Sequence, residues 1–213
     1  MVLSASCGVL YVASGIDYLL EAHSNAAYSK HFCDLPFAIC TDLIDNVDEE
    51  IFDYKFNLDV PAYSYRDKIH PLSQTPFEYT LFLDSDARLI HPPDELFSLL
   101  QIYDICASMA PVRIPHGWID SEVPLSFHEF NSGVILFRNT SIIHDFISDW
   151  LVLYDKIKLQ HNQSWDQATF RSVLFSFIST RSLKFFTLPC ECNLRTTKPW
   201  IAGRGSPVYV IHG

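Results

Sequence analysis

The stretch Tyr79-Thr80-Leu81-Phe82-Leu83-Asp84-Ser85-Asp86 sets a run of apolar residues directly against a pair of carboxylates. A short apolar run bounded by polar residues reads as a buried strand. In an extended chain, side chains two apart point the same way, so Asp84 and Asp86 converge at the carboxyl end of that strand. Two like charges there repel, and they resist desolvation unless something cationic sits between them. A hard divalent ion, Mn²⁺ or Mg²⁺, suits carboxylate oxygens and keeps positions open for a diphosphate. The competing expectation is a solvated Asp-x-Asp turn that holds no ion.

Working outward, residues 8–13 (GVLYVA) read as a buried strand followed by a Ser14-Gly15 turn, and residues 17–32 as a helix. Residues 36–41, 79–83, 105–109, 133–137, 185–188 and 208–211 read as strands, and 95–100 as a short helix behind His91-Pro92-Pro93-Asp94. Ile143, Phe146, Ile147, Trp150, Tyr154 and Ile157 recur at helical spacing, as do Phe170, Val173, Leu174, Phe177 and Ile178. Apolar strands alternating with helices predict an α/β chain with a mixed, mostly parallel sheet covered by helices on both faces. In such sheets ligands bind at the carboxyl ends of the strands.

Composition narrows the function. Of 213 residues, 48% are hydrophobic and 19% charged, which excludes a disordered chain. Lys and Arg number 15 against 25 Asp and Glu, a net charge of −10 without any run of basic residues. That argues against nucleic acid or an anionic membrane as partner. No apolar stretch is long enough for a transmembrane helix, and residues 1–16 read as a first buried strand rather than a signal peptide. The six cysteines have neither zinc spacing nor a disulfide ladder, so they are expected to stay reduced in the cytoplasm. The sequons at Asn139 and Asn162 are then chance matches. With no linker or repeat, residues 1–213 are expected to form one domain. Residues 1–110, which carry the carboxylate pair, and 111–213 are its two expected halves.

Residues 11–18, Lys68, Asp84-Ser85-Asp86, residues 130–134, Asp166-Gln167 and Leu188-Pro189 with Asn193-Leu194 follow one another in an order that resembles the GT-A-fold glycosyltransferases, closest to the family 8 group that includes glycogenin and bacterial galactosyltransferases. Tyr11-Val12-Ala13-Ser14-Gly15-Ile16-Asp17-Tyr18 resembles the first strand and nucleotide loop, and Asp84-Ser85-Asp86 the DxD motif. Phe130-Asn131-Ser132-Gly133-Val134 resembles the sugar-contacting segment, Asp166-Gln167 the DQ pair, and Leu188-Pro189 with Asn193-Leu194 a later element. The resemblance implies a single GT-A domain transferring a sugar from a nucleotide-diphosphate donor, UDP-linked, to a carbohydrate or other hydroxyl acceptor. It implies Mn²⁺ (or Mg²⁺) on Asp84, Asp86 and His212, and retention of configuration. Val12, Ala13, Ser14, Tyr18, Lys68 and Ser85 would hold the donor, with Asn131, Ser132 and Gly133 at its sugar; Asn131, Asp166 and Gln167 would serve catalysis.

The residues fit those roles chemically. A Lys is a point charge for phosphate in an acidic protein, amides both donate to and accept from sugar hydroxyls, and an imidazole suits Mn²⁺. An inverting reaction would instead need a base, for which Asp120, Glu129 and Asp166 are candidates. The carboxy terminus departs from the family pattern. Lys198-Pro199-Trp200 precedes His212-Gly213 rather than following it, and Lys198, Arg195 and Arg204 are the candidates to stand in for the family's closing lysine. Residues 111–129, with three prolines and Trp118, are expected to form an acceptor loop or lid. Two alternatives are a non-catalytic nucleotide-sugar binder and a haloacid-dehalogenase-like phosphatase. After Asp166, however, only Glu191 could serve the phosphatase's later acidic pair.

Overall fold

The computed structural model describes residues 6–115, 117–203 and 205–213. The expectations for residues 1–5 and for Arg204 fall outside them. Strand β1 (Cys7–Ala13) leads through Gly15 into α1 (Ile16–Ser29), followed by β2 (Phe37–Thr41) and β3 (Tyr54–Asn57). Then come β4 (Tyr79–Leu83), β5 (Ala87–Leu89), α2 (Asp94–Phe97), β6 (Ile105–Met109) and β7 (Phe130–Arg138). The chain finishes with α3 (Ser141–His161), α4 (Gln167–Thr180), β8 (Phe185–Leu188), β9 (Leu194–Arg195) and β10 (Val210–His212).

Seven strands form one sheet in the order β3-β2-β1-β4-β7-β6-β8. All neighbours are parallel except β7, which runs antiparallel to both β4 and β6. The alternation of strand side chains separates two cores. Val9, Tyr11, Leu81 and Leu83 pack toward α1 and α2, with Leu19, Ala22 and Phe97. Leu10, Val12, Phe82 and Ile135 pack toward α3 and α4, with Phe146, Trp150, Phe170 and Phe177. The expected helix-covered α/β sheet is therefore the observed one. At Trp150 burial is complete, and its indole Nε1 donates to Thr169 Oγ1 at 3.2 Å, linking α3 to α4.

Three strands have no counterpart in the sequence reading. β3 is an edge strand of alternating polar residues, mostly exposed, so no apolar run marks it. β5, β10 and β9 form a separate three-stranded sheet, each strand only two or three residues long. The last expected strand shifts from 208–211 to Val210–His212, which puts His212 inside β10 rather than beyond it. The FNSGV segment likewise lies inside β7, which starts at Phe130 rather than 133.

Candidate active site

The site forms where β4 ends between β1 and β7. The Asp84 backbone N–H donates to the Gly133 carbonyl at 2.7 Å, and the Ala87 N–H donates to the Asp84 carbonyl at 2.9 Å, a tight turn that sends the chain into β5. β10 pairs antiparallel with β5, with His212 opposite Ala87, and the Gly213 N–H donates to the Asp86 carbonyl at 3.0 Å. This register brings His212 Nε2 to 3.1 Å from Asp86 Oδ1 and 3.8 Å from Asp84 Oδ2. One donor atom from each of Asp84, Asp86 and His212 lies within 4.8 Å of the others. Two carboxylates and an imidazole are a donor set for a divalent cation. Gly133 leaves room for it, because a Cβ there would overlap both the His212 ring and Asp84 Oδ2.

Lys68 arrives from a single 3-10 turn, Tyr65–Lys68, whose start is fixed by a capping box between Ser64 and Asp67. Its Nζ lies 3.2 Å from both Asp84 oxygens and 3.3 Å from Asp166 Oδ2. Burial works to lower the Lys68 pKa, but the Asp166 and Asp84 carboxylates overcome it and hold the ammonium above its ordinary range. Asp166 Oδ2 also accepts from Ser132 Oγ at 2.6 Å. Burial raises the Asp84 carboxyl despite Lys68 and His212. Asp86 sits lower than usual: burial works to raise it, but His212 and Arg195 beside it outweigh burial.

Behind these residues runs a one-way chain of amides. Gln167 Nε2 donates to Glu129 Oε1 at 2.9 Å, and Asn131 Nδ2 donates to Gln167 Oε1 at 2.8 Å. Asn193 Nδ2 donates to Asn131 Oδ1 at 2.8 Å, and Asn193 Oδ1 faces His212 Nδ1 at 2.7 Å. The buried Glu129 at its end is pushed up to about 7, chiefly by burial and against the Gln167 bond.

A cleft of about 530 Å³ opens over this edge. Val12, Ala13, Ser14, Tyr18, Lys68, Asp84, Ser85, Asp86, Asn131, Ser132, Asp166, Gln167 and His212 all line it. Gly133 lies directly behind Asp84 and His212. The first loop is fixed by Gly15, which has φ +84° and whose N–H donates to Asp42 Oδ1 at 2.8 Å; Tyr63 Oη reaches the other oxygen of Asp42 at 3.1 Å. Ser85 Oγ donates to Glu21 Oε2 at 2.5 Å.

Of the stand-ins for the closing lysine, Arg195 lines the cleft. Lys198 lies over the Trp200 ring instead. The base candidates are all engaged. Asp166 is tied to Lys68 and Ser132, Glu129 lies behind Gln167, and Asp120 accepts from Ser172 on α4. Segment 111–129 is anchored by Arg171, whose guanidinium donates to the carbonyls of Val123, Pro124 and Phe127. Sequence reasoning missed Glu21, Asp67 and the aromatic rim of Tyr63, Tyr65 and Trp165. The Tyr65 and Trp165 rings pair at 5.2 Å, one hundred residues apart in sequence, so no local pattern signals them.

No protein-family model matches the chain, and no curated protein matches it. Solved structures do. Mouse xyloside xylosyltransferase 1 matches over 97% of both chains, with TM-score 0.60 and 11% identity. The glycosyltransferase GlyE of Streptococcus pneumoniae TIGR4 matches over 96% of this chain, which spans about half of GlyE (54%), with TM-score 0.65 and 14% identity. The galactosyltransferase LgtC, solved with donor and acceptor sugar analogues, matches over 96% of this chain and 86% of its own, with TM-score 0.57 and 14% identity. The chain has the fold of the GT-A glycosyltransferases.

Proposed function

We propose that this chain is a metal-dependent glycosyltransferase of the family 8 type, taking a UDP-linked sugar and passing it to a hydroxyl acceptor. The observation that carries the reading is the Asp84–Asp86–His212 cluster, its donor atoms within 4.8 Å of one another, at the carboxyl edge of a GT-A sheet. Bound there, Mn²⁺ or Mg²⁺ would neutralise the diphosphate of the departing nucleotide. Val12, Ala13, Ser14 and Tyr18 then hold the nucleoside, with Ser85 between them and the carboxylates. Lys68 keeps Asp84 and Asp166 in place from behind.

Asn131 and Gln167 each have one amide hydrogen committed within the chain of amides. Each NH₂ carries a second hydrogen that a sugar hydroxyl can accept. Retention is the stereochemical reading, supported by the absence of Asp120 and Glu129 from the described cleft lining and by the hold of Lys68 and Ser132 on Asp166. All six cysteines are free thiols and no helix among the described residues is long and apolar enough to cross a membrane, which supports a reducing, cytoplasmic setting. The likeness to glycosyltransferases leaves the phosphatase alternative without structural support.

A thermal-shift panel of UDP-, GDP-, ADP- and CDP-sugars, each with Mn²⁺ and with EDTA, tests this reading. Stabilisation by UDP-sugars that disappears in EDTA is expected. A flat panel in a folded protein, or stabilisation indifferent to EDTA, overturns it. Donor hydrolysis measured on the same samples separates an enzyme from a pure binder, which would show affinity without turnover.

A further inference from the structure

We propose that Arg195 and the divalent cation compete for a single atom, Nε2 of His212, so that loading the cation releases Arg195 to the donor's diphosphate. This rests on reading Asp84, Asp86 and His212 as the metal site.

Two groups around His212 have hydrogen-bonding roles that allow no choice. The backbone N–H of Gly133 can only donate, so the Asn131 atom it meets at 2.9 Å is the oxygen. The Asn193 atom bonded to that same oxygen is therefore the nitrogen, which turns the Asn193 oxygen toward His212 Nδ1 at 2.7 Å. Nδ1 must then carry the proton. From the other side, a guanidinium can only donate, and Arg195 Nη1 lies 2.6 Å from Nε2. Both lines of reasoning give one tautomer, with the ring's single lone pair on Nε2 and aimed at Arg195.

The same nitrogen lies 3.1 Å from Asp86 Oδ1 and 3.8 Å from Asp84 Oδ2. A cation held between the two carboxylates needs it, because Nδ1 is protonated and turned toward Asn193. One lone pair cannot serve a guanidinium and a metal ion together. Arg195 must leave Nε2 when the ion arrives.

It cannot go far. Arg195 ends β9, paired in register with His212 itself, so its backbone stays beside the site. Gly213 packs against the guanidinium, where a Cβ would come within 3.1 Å of Nη2. Among the described residues, the other permanent cation lining the cleft, Lys68, is locked between Asp84 and Asp166. Arg195 is thus the cleft cation that ion loading frees, and its planar fork matches phosphate oxygens. Lys198, by contrast, lies over the Trp200 ring.

The test compares wild type with Arg195→Met in two titrations on protein stripped with EDTA, its fold checked by melting temperature. Mn²⁺ alone, followed by the electron paramagnetic resonance of the free ion, is expected to bind Arg195→Met roughly tenfold more tightly, on the scale of one hydrogen bond to a charged group. UDP at saturating Mn²⁺ is expected to bind the variant roughly tenfold more weakly. Unchanged or weakened Mn²⁺ affinity in Arg195→Met overturns the competition, as does unchanged UDP affinity. A gain in Mn²⁺ affinity that vanishes at about 1 M salt reduces the effect to screened charge repulsion and also overturns it. Asp86→Asn and His212→Ala check the underlying reading separately. If wild type binds Mn²⁺ and neither change weakens it, the metal site lies elsewhere, and if no protein binds Mn²⁺, site and competition fall together.

Discussion

The seven-stranded sheet and the three-stranded sheet meet at Asp84–Asp86, and they are held by different forces. Every residue of β4 is buried, and its neighbours β1 and β7 are buried along almost their whole length. The small sheet has three strands of two or three residues, and its buried Ala87, Leu89, Tyr209 and Val210 join the core on the α1 side of the large sheet. Yet the large sheet supplies the carboxylates that repel, and the small one supplies the His212 and Arg195 that face them. The rigid layer concentrates the charge while the lightly built layer completes the site. Site integrity and global stability should therefore come apart under mutation.

The largest effect is expected where the two layers touch. Gly133→Ala places a Cβ into both the His212 ring and Asp84. Mn²⁺-dependent stabilisation by UDP should disappear, and donor turnover should fall by about 10³, the scale of losing a preorganised electrostatic contact. Overpacking one methyl costs the fold only about 1–3 kcal/mol, so circular dichroism should still report a native protein. Retained Mn²⁺ binding in this variant would show that the three donor atoms do not act together.

A matched pair probes the two sheets separately. Phe82→Ala opens the core between the large sheet and α3, and should cost about 3–5 kcal/mol in urea unfolding. Val210→Ala removes two methyl groups behind β10 and should cost only about 1–2 kcal/mol. Measured well below either melting transition, Mn²⁺ affinity should nevertheless drop more in Val210→Ala. The reverse order would mean that His212 is held by something other than its strand.

The same contrast governs what the sequence discloses. Runs such as Gly8–Val9–Leu10–Tyr11–Val12 and Leu81–Phe82–Leu83 announce buried strands because burial on both faces demands continuous apolar residues. Asp84 and Asp86 stand at the end of such a run and can be read from it, whereas Asn131 and Gln167 are legible only through the resemblance of their short motifs to the family's. The strands of the three-stranded sheet are only two or three residues long, too short to show an apolar run, so Ala87–Leu89 and Leu194–Arg195 carry no pattern. That is why His212 looked like a strand-end residue and Arg195 could not be chosen over Lys198. The pairing of Tyr65 with Trp165 is hidden for another reason, since it depends on how a 3-10 turn and a helix start approach each other in space.

Glu129, at the far end of the amide chain, offers a smaller effect with a definite sign. Its carboxyl is held at about 7 in the fold, mainly by burial, against an ordinary value near 4.5. Folding then takes up a proton between those values, so this group favours the fold below about 4.5, and that contribution is lost as pH rises through about 7. Glu129→Gln keeps an oxygen for Gln167 to donate to but removes the charge. The melting temperature of the variant relative to wild type should rise from pH 5 to pH 8, by an amount corresponding to at most about 3 kcal/mol. A difference independent of pH would mean that Glu129 is already ionised at pH 5 in the folded protein.

The smallest effect is expected at the rim, where neither sheet reaches. Tyr18 stands on the first turn of α1, 59% exposed, and lines the cleft at the end expected to hold the nucleoside. An aromatic ring stacked on a base contributes about 1–3 kcal/mol, and one so exposed belongs at the low end. Tyr18→Ala should weaken UDP roughly fivefold to tenfold at saturating Mn²⁺ while leaving inorganic pyrophosphate unchanged. Pyrophosphate engages the cation and the phosphate-facing charges but has no base to stack, so the pair of ligands separates rim from floor. Equal losses for both ligands would place Tyr18 with the phosphates, and the division between a rigid charged floor and an adaptable aromatic rim would have to be redrawn.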